Sequence, residues 1–200
     1  MDLLLGAKLS ALKGGKSVRG DMAGDGAVLR LPVTGDAKER LQMALGAAAA
    51  LKAQRGGRVL LIYVGAGEVS KKEWKRALSA AGKRELPVIF VVLPGVEEKS
   101  AKRAGELCGR SRGWGVPGFP VDGKDAIGMY RVMQESLLRA RAGGGSVLIE
   151  CVGFRLHGDK GSGHEDPVER LGALMVQKGA ATAEWIKATR LAAGRRVRAS

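Results

Sequence analysis

The sequence predicts an α/β protein with a doubly wound, mainly parallel sheet and helices on both faces. Two apolar runs, residues 58–64 and 86–92, are typical of buried strands because both are rich in Val, Leu and Ile. Between them lie a Gly65-Ala66-Gly67 turn and a helix-forming segment, so the stretch has the pattern of a strand–helix–strand unit. Helix and strand patterns continue to alternate along the chain, as a parallel sheet requires.

Local signals predict the other elements. Ser70, followed three residues later by Glu73, predicts a capping box for a helix over residues 71–82. Pro167 suits the first turn of a helix that ends before Gly179. Apolar spacing predicts further helices over residues 38–54, 99–110 and 125–142, strands over 119–121 and 146–152, and a final helix after Thr182. The side chains expected to face inward are Trp74, Ala77, Leu78 and Ala81 of the capped helix, and Ile127, Tyr130, Val132, Met133, Leu137 and Leu138 of the 125–142 helix.

We expect a single domain over residues 1–200, because a chain of this length with 45% hydrophobic residues can bury one core. Residues 14–36 and 157–166 lack a hydrophobic period and are predicted to be irregular loops. No apolar run is long enough for a membrane span, and the chain does not begin with the basic segment of a secretory signal. Cys108 and Cys151 are predicted to be buried thiols, which indicates a cytoplasmic protein.

The chain is strongly basic, with 34 Lys and Arg against 20 Asp and Glu and a net charge of +14. Such a field attracts acidic proteins, acidic membranes or nucleic acids without specifying which of them binds. Aromatic residues make up only 4% of the chain, too few for a surface that stacks bases. We therefore favour a solvated surface or an acidic protein partner over nucleic acid, and we expect no membrane partner.

A series of segments runs in a fixed order through most of the chain. It comprises Ala44-Leu-Gly-Ala-Ala-Ala-Ala-Leu-Lys52, the strand–helix–strand unit 58–95, Arg112-Gly-Trp-Gly-Val-Pro-Gly118, Val121-Asp-Gly123, Leu148-Ile-Glu150, Phe154-Arg-Leu156 and Asp166-Pro-Val-Glu-Arg-Leu171. In this series the chain resembles the alpha subunit of the thiamin-diphosphate-dependent 2-oxoacid dehydrogenases of the pyruvate and branched-chain type. The resemblance implies the thiamin-diphosphate-binding fold. It also implies a homodimer or a beta-subunit-like partner, whose glutamate activates the cofactor.

The resemblance implies a cofactor site from which this sequence departs. Family members hold thiamin diphosphate through magnesium, bound by the aspartate of a Gly-Asp-Gly turn and by an asparagine beyond the next strand. Here Ala66 stands at the aspartate position, and Pro94 and Gly95 replace the asparagine pair. Because magnesium needs oxygen ligands, we expect this chain not to hold it in the family manner. Gly65 and Gly67 are then a vestigial cofactor-binding turn, and we expect no catalytic residue and no metal ligand.

Two more departures are a loop and the start of the chain. Family members place a histidine soon after Phe154-Arg-Leu156, whereas Asp159 takes that position here. His157 and His164 are interpreted as exposed loop residues, since a metal site that combines them with nearby carboxylates lacks diagnostic spacing. Family chains also continue upstream of Leu3, so we expect part of the cofactor's polar contacts to be missing.

One feature favours a different ligand. Ser70, Lys71 and Lys72 lie at a predicted helix N-terminus, whose free amides attract phosphate, so they are a candidate anion site without a metal. We favour the plainer alternative that both lysines are solvated. A dinucleotide-binding fingerprint is not supported, because Ser70 stands where its third glycine belongs. Nucleophilic catalysis is not supported either, since neither cysteine has a histidine nearby in the sequence.

Three functional hypotheses follow. The first is a degenerate alpha-subunit-like protein that acts through subunit assembly or by binding another ligand. The second is a functional thiamin-diphosphate-dependent oxidoreductase subunit that a partner chain completes. The third is a basic binding module for nucleic acid or an acidic protein.

Overall fold

A computed structural model describes residues 19–23, 28–30, 37–93, 105–152 and 166–198. These residues group into two compact units. The first contains the sheet and the helices that cover it, and the second contains the two C-terminal helices. The expectation of a single domain over the whole chain stays a prediction.

The first unit is built on a mainly parallel sheet. Its strands are β1 (Arg19–Ala23), β2 (Val28–Arg30), β3 (Val59–Gly65), β4 (Val88–Leu93), β5 (Gly118–Asp122) and β6 (Val147–Val152). Within the described residues they form one sheet in the order β2-β1-β3-β4-β6-β5. The four strands β3, β4, β6 and β5 run parallel, whereas β1 is antiparallel to both β2 and β3.

Helices cover both faces of this sheet. They are α1 (Ala37–Ala53), α2 (Lys71–Lys83), α3 (Glu106–Ser111) and α4 (Ala126–Arg141). Alternate residues of a strand point to opposite faces. Leu60 and Ile62 of β3 accordingly share a core cluster with α1 and α2, whereas Leu61 packs in a second cluster with Met133 and Leu137 of α4. Burial on both faces explains the continuous apolar runs, and the predicted fold class is confirmed.

The capped helix α2 packs as predicted. Trp74, Ala77, Leu78 and Ala81 are all buried, and the Trp74 ring meets the Phe90 ring of β4 edge to face, with centroids 6.1 Å apart. At its C-terminal end α2 makes a backbone contact. A Cβ added to Gly82 would lie only 2.6 Å from the carbonyl oxygen of Gly115, so a glycine is needed at position 82.

Residues 14–36 are predicted to be mostly loop, and the prediction did not include two short strands. This segment contains β1 and β2, which pair with each other, while Asp21 of β1 is in register with Leu61 of β3. The sequence Arg-Gly-Asp-Met-Ala of β1 has no hydrophobic period. The strand is defined by pairing with a distant strand, which a local pattern does not show. The other predicted loop, residues 157–166, lies outside the described residues except for Asp166.

The inward face predicted for α4 was too wide. Met133 and Leu137 are buried as predicted, and Ala140 continues their line at helical spacing. Ile127, Tyr130 and Leu138 are exposed instead, and Leu138 has 64% of its surface accessible. α4 carries apolar residues on more than one side, and these three side chains lie beside the face that packs on the sheet.

The second unit is a helical hairpin formed by α5 (Pro167–Gln177) and α6 (Ala183–Arg198). Asp166 caps α5 by accepting a hydrogen bond from the N–H of Val168 at 2.7 Å. Gly179, with φ of +66°, follows the helix, so the predicted glycine stop is confirmed. Thr182 caps α6, because its hydroxyl accepts from the N–H of Trp185 at 3.2 Å. Across the described residues, no helix combines the length and apolar character needed to cross a bilayer.

Candidate functional site

The candidate site lies where β3 and β4 end side by side. In their parallel register, Gly65 of β3 is level with Leu93 of β4. The N–H of Ala66 donates a hydrogen bond to the carbonyl of Leu93 at 2.7 Å, which holds the turn against the end of β4. Ligands of open parallel sheets bind outside the carboxyl ends of the strands. This edge of the sheet is therefore the place at which the fold offers a ligand site.

The turn after β3 has a conformation that glycine permits. Gly67 has φ of +95°, which residues with a Cβ rarely adopt. The carbonyl of Gly65 accepts a hydrogen bond from the N–H of Glu68 at 3.1 Å. The side chain of Glu68 folds back over the turn, because a Cβ added to Gly65 would lie 3.1 Å from its carboxylate. A negative charge therefore lies against the backbone of the turn.

The predicted capping box begins the helix that follows. The hydroxyl of Ser70 accepts from the N–H of Glu73 at 3.3 Å. The Glu73 carboxylate in turn accepts from the N–H of Ser70 at 3.1 Å and from its hydroxyl at 2.8 Å. Lys71 and Lys72 are exposed at the first two positions of α2. The polar groups of Ser70 are thus engaged with Glu73, and an anion site at these three residues stays a prediction.

Arg40 of α1 is a site residue that the sequence analysis missed. Its side chain is only 12% exposed, and its terminal nitrogen donates to the Glu68 carboxylate at 3.3 Å. The Nε atom is buried and has no hydrogen-bond partner among the described residues. The signal that could have revealed it is spacing. Arg40 precedes the buried Ala44 by four residues, so it extends the inner face of α1 toward the turn.

Several predicted positions lie outside the described residues. They are Pro94 and Gly95 at the asparagine positions, and His157, Asp159 and His164 in the loop after Phe154-Arg-Leu156. Across the parts of the chain that are described, no group of three or more His, Cys, Asp and Glu side chains is placed to hold a metal ion. The turn itself offers a methyl group at Ala66, where the family resemblance implies a carboxylate.

A buried carboxylate lies near the end of β6. Glu150 accepts hydrogen bonds from the N–H groups of Gly105 and Cys108, both at 2.9 Å, and so fixes the start of α3. Cys108 and Cys151 are buried free thiols, as predicted. Burial, and secondarily the charge of Glu150, raises the pKa of Cys108 to about 12 and that of Cys151 to about 11. A thiol that stays protonated is a poor nucleophile, so these cysteines have a structural character.

The family model of the dehydrogenase E1 component matches residues 33–199 of this chain. The chain belongs to the dehydrogenase E1 component family. It is similar to the alpha subunit of acetoin:2,6-dichlorophenolindophenol oxidoreductase of Bacillus subtilis, with 32% identity over 121 residues, which is 58% of this chain and 36% of that protein. The alpha subunit of 3-methyl-2-oxobutanoate dehydrogenase of Mycobacterium tuberculosis is 36% identical over 121 residues, covering 56% of this chain and 32% of the relative.

A longer but weaker match is the alpha subunit of the pyruvate dehydrogenase E1 component of Rhizobium meliloti, with 24% identity over 168 residues, or 74% of this chain and 48% of the relative. The predicted resemblance to an alpha subunit of the 2-oxoacid dehydrogenases is therefore confirmed. The chain spans between about a third and a half of the length of these relatives.

Proposed function

We propose that this E1 component chain is an alpha-subunit-like protein that does not hold magnesium and thiamin diphosphate in the family manner. It acts through assembly with a beta-subunit-like chain or by binding another ligand. The observation behind the proposal is Ala66 in the turn after β3, level with the end of β4. A methyl group cannot coordinate a metal, and magnesium requires near-octahedral oxygen ligands.

The charges around the turn support the same proposal. The Glu68 carboxylate lies against the backbone of Gly65, the surface that a diphosphate would approach. Its ion pair with Arg40, at 3.3 Å, keeps it over the turn and neutralises the cation that could otherwise bind an anion there. A diphosphate would have to displace this carboxylate or be repelled by it. The residues described here therefore do not fit a magnesium–diphosphate group.

An assembly role is supported by the relatives and by charge. The relatives reported above are named as alpha subunits, so each of them functions beside another subunit. The net charge of +14 favours an acidic partner and disfavours contact between two copies. A cytoplasmic location belongs to the same proposal and is supported by the two free thiols.

A second candidate function is a working thiamin-diphosphate-dependent oxidoreductase subunit that a partner chain completes. The intact scaffold of the site favours it. The turn retains its left-handed Gly67, and the Ser70 capping box holds the helix N-terminus in place. In this case the ligands absent from the turn would come from the partner.

A thermal-shift titration separates the two candidates. A ligand at one hundred times its dissociation constant stabilises the folded protein by about 2.7 kcal/mol. We expect no shift with millimolar thiamin diphosphate and Mg²⁺, either for the chain alone or after an E1 beta subunit from the same genome is added. A shift for the chain alone would contradict the proposal, and a shift only with the beta subunit would establish the second candidate.

A double variant tests whether the missing oxygen ligands are the reason that the chain does not hold magnesium. Ala66→Asp combined with Gly95→Asn restores an oxygen donor at each family position. We expect this double variant to gain a magnesium-dependent shift that the wild type lacks. Glu68→Gln is the control for charge alone, because it removes the carboxylate from the turn without adding a ligand. A shift in the control but not in the double variant would assign the loss to Glu68 instead of Ala66.

A further inference from the structure

The outer side of helix α2 carries only positive charge. Five basic residues of this helix are exposed, and at 3.6 residues per turn they lie within about 140° of its circumference, opposite the buried Trp74 and Ala77. We call them the basic face of α2: Lys71, Lys72, Lys75, Arg76 and Lys83. The acidic residue of α2, Glu73, lies outside this arc, is half-buried and closes the capping box.

The charges of the basic face destabilise their own helix. Acidic side chains are favoured in the first turn of a helix, whereas Lys71 and Lys72 occupy the first two positions of α2. Lys75 and Arg76 follow them at a spacing of four residues, at which like charges repel. Within the described residues, none of the five side chains forms an ion pair. A local rule broken without compensation inside the fold points to a role outside it.

Other helices of the protein carry charges of both signs on their exposed sides. On α4, Glu135 stands four residues after Arg131 and four residues before Arg139. On α3, Arg110 pairs with Glu106 one turn earlier, at 3.1 Å. Opposite charges at this spacing are typical of a solvated helix surface. The basic face of α2 is therefore a distinct surface and not only a sample of the overall net charge.

The chemistry of the basic face favours carboxylates over nucleic acid. Four of its five residues are lysines, which are compact point charges, whereas the planar fork of arginine is the usual group for recognising phosphates and nucleic acids. Trp74, the aromatic residue of α2, is buried and cannot stack on a base. From Lys71 to Lys83 the helix rises about 18 Å, the length of about three turns of a partner helix.

We infer that the basic face of α2 docks an acidic segment of a partner protein, in which Asp and Glu recur along about three helical turns. The inference rests on the assembly role proposed above and adds a surface and the chemistry of what binds there. Carboxylates at these positions would relieve the repulsion within α2, so docking and helix stability reinforce each other. A second copy of the chain does not fit, because two basic faces repel each other.

The test uses the full chain and a labelled synthetic helical peptide with Glu on one face, beside the same peptide with Gln in place of Glu. Fluorescence anisotropy at low salt should show binding of the Glu peptide alone. We expect Lys72→Glu with Arg76→Glu to weaken this binding about tenfold, and the loss should shrink as salt rises. The matched control, Lys178→Glu with Lys187→Glu, reverses the same charge at exposed positions of the hairpin and should change the affinity far less.

A single reversal separates docking from a structural role. Lys72→Glu places an acidic group in the first turn of α2, four residues before Arg76, which is the favoured order for an ion pair. We expect the thermal midpoint to rise by about 1–3 °C while binding of the Glu peptide weakens. A lower midpoint would contradict the repulsion on which the inference depends.

Every other outcome also decides. Equal losses for the two double variants would mean that only total charge matters, and would overturn the assignment to α2. Duplex DNA that displaces the Glu peptide at a lower concentration than unlabelled peptide does would make nucleic acid the occupant, and would overturn the partner chemistry. A Glu peptide that does not bind at low salt would overturn the inference alone, because the thiamin diphosphate titration tests the proposed function separately.

Discussion

The two units of this protein differ in where their apolar side chains lie. In the sheet unit, Phe90, Leu60 and Ile62 are almost completely buried between the sheet and its helices. In the hairpin unit, Gly172 is buried while Trp185 and Leu191 are exposed. Both units nevertheless have capped helices, such as α2 and α5, and helices that are followed by a left-handed glycine, such as α4 and α5. Caps and stops therefore define where helices begin and end, whereas the free energy of folding depends on what covers their apolar faces.

The largest effect should come from a core deletion in the sheet unit. Phe90→Ala removes a fully buried ring from β4 and its edge-to-face contact with Trp74. We expect the free energy of unfolding to fall by about 3–5 kcal/mol, measured by urea denaturation. Leu191→Ala in the hairpin is the comparison and should cost less than about 0.5 kcal/mol. Similar losses of unfolding free energy at the two positions would contradict the difference in burial between the two units.

A methyl group added to a helix glycine should cost somewhat less. Gly82→Ala forces a Cβ to within 2.6 Å of the Gly115 carbonyl oxygen, so the backbone must shift, and we expect a loss of about 1–3 kcal/mol. Gly46→Ala in α1 is the matched control, because no atom lies within 4 Å of the added Cβ. It should raise stability by about 0.5–1 kcal/mol. Equal thermal stability of the two variants would contradict this packing.

Loss of a helix cap should affect the two units differently. Ser70→Ala removes the cap of α2 in the sheet unit and should lower global stability by about 1 kcal/mol. Thr182→Ala removes the equivalent hydrogen bond from α6. If the hairpin does not share the cooperative core, this second variant should speed hydrogen exchange only at the start of α6. A matching loss of global stability would show that both units unfold together.

The smallest effect concerns the thiols. The pKa of Cys108 is raised to about 12 in the folded protein, so this thiol stays protonated at a pH where the unfolded chain ionises. Ionisation therefore stabilises the unfolded state above pH 9, and the free energy of unfolding falls as the pH rises. At pH 9.5 we expect a cost of up to about 1 kcal/mol relative to pH 7. Urea denaturation of the wild type and of Cys108→Ala at both pH values isolates this cost, and a pH slope that the variant leaves unchanged would contradict it.

Predictions from the sequence succeeded where the decisive residues are close in the chain. Ser70 and Glu73 define the start of α2, and the apolar runs of β3 and β4 identify buried parallel strands. They failed where distant residues decide. The pairing of β1 with β3, and the ion pair between Arg40 and Glu68, 28 positions apart, leave no local pattern. The buried face of α4 was predicted too wide for another reason, since apolar residues occur on more than one side of that helix.

In the candidate site, too, features formed by residues close in the sequence were predicted, and contacts between distant residues were not. Gly65 and Gly67 mark the turn, because a strand followed by glycine is visible in the sequence. The role of Glu68 was not visible, since its carboxylate is positioned by Arg40 of a preceding helix.

The contact between Gly82 and Gly115 has a consequence for natural variation. Where the two backbones touch, the space at position 82 is smaller than one methyl group, and no rearrangement of side chains can enlarge it. Homologues that keep this packing should therefore retain glycine at position 82, while position 46 should vary among small residues. Any chain with a larger residue at position 82 must have moved the end of α2 away from the segment that leads into β5.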